Sequence, residues 1–139
     1  MFGYEVNLIS VLAVAVIHMS LGYLWFAPSV FGRIWLRGAG ITVERLIEIQ
    51  SKGMKLSALL SLFSSLVIAY VLATIIGIMG FTGLLYGAVT GLLIWAGFFA
   101  TSQLGPVLWE DRPMSLYAVN AGYYLVSLLL MGAVLGFWR

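Results

Sequence analysis

The chain has one histidine, His18, and it lies 11 residues into an apolar stretch without formal charge. An imidazole in such a place can donate and accept a hydrogen bond at once, contact a ligand or pass a proton. Counting at 1.5 Å per helical residue puts it roughly 16 Å from the end of that stretch, close to mid-bilayer. The same counting brings Ser64, Ser65, Thr90, Tyr123 and Tyr124 to a similar level, with Asn120 about a turn away. The expected intramembrane polar layer is therefore His18, Ser65, Thr90, Asn120 and Tyr124. Ionisable residues within a membrane face inward and raise a functional hypothesis. The plainer reading is a neutral imidazole hydrogen-bonded to a Tyr or Ser, holding helices in register. No carboxylate lies in the spans to pair with a charged ring.

A second set of chemically able residues sits near the end of the third apolar stretch. Gln103, Glu110 and Asp111 cluster there, and the two carboxylates are expected to pair with Arg33 or Arg37. Adjacent carboxylates point in different directions on most backbones, so no metal site is expected from them. With no cysteine, disulfides, thiolate metal sites and cysteine nucleophiles are all excluded. One histidine cannot build a histidine-rich metal centre in a single chain. No nucleophile elbow, P-loop or zinc-protease motif occurs. No cofactor is expected, and an enzyme acting through Glu110, Asp111 and His18 ranks last. His18 is too deep to reach those carboxylates, by about half a helix length.

The elements that hold these residues follow from composition. Of 139 residues, 63% are hydrophobic and 9% charged, with mean hydropathy +1.08. Soluble domains carry about 25% charged residues. This excludes a soluble globular domain, a disordered chain and a nucleic-acid binder, and it makes lipid the main solvent. A helix needs about 20 apolar residues to cross the hydrocarbon core. Four stretches qualify: 7–27, 56–79, 82–104 and 114–138. No stretch alternates apolar and polar residues as barrel strands do. The fold class predicted is all-α: a polytopic membrane protein with four transmembrane helices in one bundle, residues 1–139 forming a single domain. The apolar run after the N-terminus is too long for a signal-peptide core and reads as a retained span.

Gly80 and Phe81 join spans two and three as a tight hairpin. Residues 105–113, bracketed by Pro106 and Pro113, join spans three and four. The first connection, 28–55, holds seven of the twelve charges. Its first part carries Phe31, Ile34 and Trp35 on one helical face, which predicts a short amphipathic helix lying in the interface. Gly38 and Gly40 then break it. Thr42 is placed to cap a further helix, with Glu44 in its first turn and Glu48 and Lys52 as an i,i+4 pair. Gly53 is a weak point before span two. Arg33, Arg37, Arg45, Lys52, Lys55 and Arg112 flank one side of the spans and Arg139 alone the other. That bias predicts a multi-pass protein of the cell membrane with connections 28–55 and 105–113 cytoplasmic and both termini outside.

Gly83, Gly87 and Gly91 recur every four residues on span three, and Gly132 and Gly136 on span four. Such small-residue faces let helices approach closely. Packing within one bundle is the favoured reading, and a homo-oligomer interface the other. Ser57, Ser61, Ser64 and Ser65 form a hydroxyl stripe on span two, read as packing rather than a conduction path.

Together these features resemble an uncharacterised family of small four-span prokaryotic membrane proteins, defined as a domain of unknown function. One stretch carrying the resemblance holds Asn7, Gly22, Trp25, Pro28, Phe31, Gly32 and Trp35. The other holds Trp95, Gly97, Leu108 to Pro113 (Leu-Trp-Glu-Asp-Arg-Pro), Asn120, Gly122 and Met131 to Trp138. It spans essentially the whole chain. It implies a four-helix membrane bundle and a prokaryotic origin, and brings no activity or site residues. The expected function is a non-enzymatic bundle that binds a lipid, a small apolar ligand or a membrane partner, with membrane lipid and a second copy of the chain as candidate partners and nucleic acid excluded. The alternative is a small oligomeric transporter or channel with the His18 layer along its path.

Overall fold

The computed structural model describes residues 6–52, 54–80 and 82–138. Gly53, Phe81 and Arg139 lie outside the described residues, and with them the weak point expected at Gly53. Four helices are long and apolar enough to cross a membrane, and the described residues contain no strand. The chain is a multi-pass membrane protein of all-α class.

Helix α1 runs Leu8–Trp25. Asn7 starts it by accepting hydrogen bonds from the Ile9 and Ser10 amides at 3.0 and 3.3 Å, which satisfies two of the orphan donors of the first turn. Pro28 then turns the chain into a π-helical turn, Pro28–Gly32, followed by α2, Arg33–Ala39. The short interfacial helix expected from residue 28 is present in this two-part form. Gly40 ends α2 in the left-handed region at φ 71°, where a side chain would be strained. Helix α3, Val43–Ser51, opens on Thr42, whose hydroxyl accepts from the Arg45 amide at 3.1 Å, as its sequence predicts.

Helix α4 spans Met54–Met79 and α5 spans Leu84–Ile94. A second π-helical turn, Trp95–Phe99, leads through α6, Ala100–Ser102, to α7, Gly105–Trp109. The expected break at residue 105 is corrected here. Pro106 occupies the first turn of α7, where a missing N–H costs nothing, so the helical path continues to Trp109. The connection is thus only 110–113, with Asp111 at φ 54°. Helix α8, Met114–Phe137, closes the chain.

Helix α8 is the centre of the packing. In its most apolar stretch 44% of residues are buried, against 17% to 28% in the other three spans. It contacts α1, α4, α5 and α2, whereas α4 and α5 meet only sparsely. The core is Val11, Val14 and Ala15 of α1, Ala69, Leu72 and Ile76 of α4, and Leu128, Met131 and Leu135 of α8. Outward-facing Leu59, Phe63, Leu85 and Phe98 are each more than half exposed and present the apolar surface that lipid covers.

The glycine faces of spans three and four meet each other. A Cβ on Gly87 would overlap the Gly132 carbonyl, and one on Gly91 the Leu128 carbonyl. The two backbones are so close that the Gly83 amide donates to the Gly136 carbonyl at 2.9 Å. Both small-residue faces are used inside one chain, which agrees with the intramolecular reading of the pattern.

Candidate binding cleft

His18 is 8% exposed and lies at the junction of three spans. Its Nδ1 is 2.8 Å from the Ser65 hydroxyl on α4, and its Nε2 is 3.2 Å from the Tyr123 hydroxyl on α8. Tyr123 also reaches the His18 main-chain carbonyl at 2.8 Å. Counting hydrogens assigns the roles. The single Tyr123 proton goes to that carbonyl, so the Tyr123 oxygen accepts from Nε2–H, and Nδ1 accepts from Ser65 O–H. Every polar atom is satisfied with the ring neutral, as the plainer sequence reading expects. Gly22, one turn after His18, leaves room for this phenol: a Cβ there would stand 3.1 Å from the Tyr123 oxygen.

Two tryptophans fix α8 in rotation. Trp25 Nε1 donates to the Val119 carbonyl at 2.9 Å, and Trp95 Nε1 to the Ala121 carbonyl at 2.8 Å. A buried indole N–H needs an acceptor, and a helix carbonyl has a spare lone pair. The π-helical turn at Trp95–Phe99 widens the helix by a residue where Trp95 makes this bond and Phe99 stacks on Tyr124, centroids 4.7 Å apart.

Beside this junction lies a cleft of about 960 Å³. It is walled by α1, α4 and α8 and reaches the first connection through Pro28, Trp35, Leu46 and Gln50. His18, Tyr123 and Tyr124 form its deep end, and Asn120 lies beside them. Ser57, Ser61, Ser64 and Ser65 line its α4 wall. The hydroxyl stripe, read from sequence as packing, is thus a cleft wall. Only Ser65, which holds His18, is buried.

The sequence-derived layer needs one correction and one addition. Thr90 is at the expected depth but not in the layer. Its hydroxyl donates to the Tyr86 carbonyl at 2.8 Å and approaches Met79 Sδ at 3.7 Å. Helix α5 turns Gly87 and Gly91 toward α8, which carries Thr90 toward α4 and away from His18. Tyr123, not Tyr124, is the phenol bonded to His18, while the Tyr124 ring lies 6.2 Å from the imidazole. Ser65, Asn120 and Tyr124 are brought together as expected.

The expected ion pairs are also corrected. Arg33, Arg37, Glu110 and Asp111 are exposed and form no ion pair with one another. Among the described residues the ion pairs are Arg45–Glu48 at 3.0 Å and Lys52–Glu48 at 3.5 Å, both within α3. Helix α2 meets the start of α8 through Gly38 against Leu116, and Arg112 ties the two by donating to the Ala39 carbonyl at 3.1 Å. That contact leaves the carboxylates of the 110–113 turn in the open.

The family described as "Protein of unknown function (DUF1761)" matches residues 9–136. The chain belongs to that family. The match takes in nearly all of the four spans, the first connection and every residue lining the cleft. No curated protein and no solved structure matches the chain.

Proposed function

We propose that the protein is a non-enzymatic membrane protein that holds a lipid or small lipid-like molecule in the cleft between α1, α4 and α8. The observation that carries this reading is the cleft itself, about 960 Å³ within one chain, apolar over much of its lining and polar along one wall. Ligand sites are typically concave and mainly apolar, with a few placed polar groups. The walls come from a single chain, and His18 points into that chain's interior with both ring nitrogens bonded. This supports binding over a pore at an oligomer axis. Membrane lipid is the natural source of an occupant, since the spans around the cleft are immersed in it.

The test is purification in mild detergent followed by mass spectrometry of extracted small molecules. A defined species should accompany the protein and be lost in Ser61→Phe, which fills the cleft from an exposed position. Protein that is free of any such species before substitution overturns the proposal.

The orientation proposed has both termini outside and the Arg- and Lys-bearing connections in the cytoplasm, following the charge bias. A cysteine introduced at residue 3 should react with a membrane-impermeant maleimide in intact cells. Reaction only after lysis reverses the orientation.

A further inference from the structure

The cleft is uncharged: no Lys, Arg, Asp or Glu lines it. Arg33 and Arg37 are near in sequence but exposed on α2, outside the lining. A phosphate or ammonium entering here would lose water and meet no counter-charge.

Its walls nevertheless carry unused hydrogen-bonding capacity. Several hydroxyls elsewhere in the spans return to their own helix. Thr74, Thr90 and Thr101 each donate to the carbonyl four residues back, at 2.8 to 2.9 Å. Ser57, Ser61 and Ser64 make no such bond, and the Asn120 carboxamide facing the same space makes none either. The three serines share one face of α4 over roughly 10 Å of helix. The row ends at Ser65, whose hydroxyl is taken by His18. Each free hydroxyl offers a donor and an acceptor, and the carboxamide offers both as well. Hydroxyls left bare toward hydrocarbon are unfavourable, so the wall fits an occupant that brings matching polar atoms.

We infer, resting on the cleft reading above, that the occupant is a lipid whose headgroup is uncharged and bears hydroxyl or carbonyl oxygens. The headgroup sits between Ser57, Ser61 and Ser64 on one side and Asn120 on the other, with its apolar part along Met19, Leu60 and Ile68. Two sources share this chemistry: a glycerolipid without phosphate, such as diacylglycerol, and an isoprenoid quinone.

Photoactivatable probes in nanodiscs test it. Three are compared: a diacylglycerol, a phosphatidic acid with the same chains, and an isoprenoid quinone. At least one uncharged probe should label peptides of the cleft about tenfold more than phosphatidic acid, a ratio equal to about 1.4 kcal/mol. The stronger of the two uncharged probes identifies the source. Labelling should fall about tenfold when Ser57→Ala, Ser61→Ala, Ser64→Ala and Asn120→Ala are combined. These side chains have no partners to lose in the fold, and an unchanged unfolding temperature of the combined variant verifies that. Equal or stronger cleft labelling by phosphatidic acid overturns the uncharged headgroup while leaving the cleft reading in place. Undiminished labelling of the combined variant overturns the seating on the serine wall. Labelling of the cleft by none of the probes overturns the cleft reading as well.

Discussion

Gly87→Ala is expected to pull α5 away from α8 and to destabilise the protein by about 3 kcal/mol, at the upper end for overpacking a tight contact. The new Cβ would overlap the Gly132 carbonyl, and the obstruction is backbone, which cannot rotate aside. The Gly83 to Gly136 backbone hydrogen bond would lengthen with it. Gly97→Ala is the control, because a Cβ there meets nothing within 4 Å. It should leave stability unchanged or raise it by up to about 1 kcal/mol, the helix-propensity gain of Ala over Gly. Thermal unfolding of both variants in nanodiscs distinguishes them. Equal midpoints would show that the close approach of α5 and α8 contributes nothing.

His18→Leu is expected to cost about 2 kcal/mol, from two interhelical hydrogen bonds at about 1 kcal/mol each in a membrane. Leucine keeps the bulk and the main-chain acceptor, so Tyr123 retains its bond to the residue 18 carbonyl. What disappears is the link between Ser65 on α4 and Tyr123 on α8. His18→Gln, which can reach one partner, should recover roughly half of the loss. A double-mutant cycle with Ser65→Ala should give coupling of about 0.5 kcal/mol or more. Strict additivity would mean that the imidazole and the hydroxyl do not act together.

These two residues also show what could be read from sequence. The spans were legible because length and hydropathy alone decide whether a helix can cross a bilayer. Depth was legible too: His18 and Ser65 were placed at one level by counting residues, and they bond. Rotation was not. In water a helix advertises its inner face by contrast with a polar outer one. Here lipid and core are both apolar, so level alone puts Thr90 in the layer and does not tell Tyr123 from Tyr124 as the phenol bonded to His18. Gly87 and Gly91 were the readable exception, since small residues mark the close face of a membrane helix. The cleft was hidden for the same reason as the rotations. From sequence its serines read as ordinary packing hydroxyls, because the absence of partners is a property of the folded chain alone. The Arg33 and Arg37 pairing fails for a different reason: the packing of Gly38 against Leu116 leaves Glu110 and Asp111 in the open, which charge and spacing do not reveal. Pro106 reads as a helix stop, although it can open a helix just as well.

The central position of α8 has a consequence for biogenesis. A membrane protein is made from its N-terminus, so α8 leaves the ribosome after the other three spans. Until then α5 has almost nothing to pack against, since its main neighbour is α8 and not α4. His18 lacks Tyr123, Trp25 and Trp95 lack their carbonyl acceptors, and the cleft lacks one wall. Assembly is therefore deferred until α8 inserts. A nascent chain interrupted before residue 114 would carry three spans with these polar contacts still open.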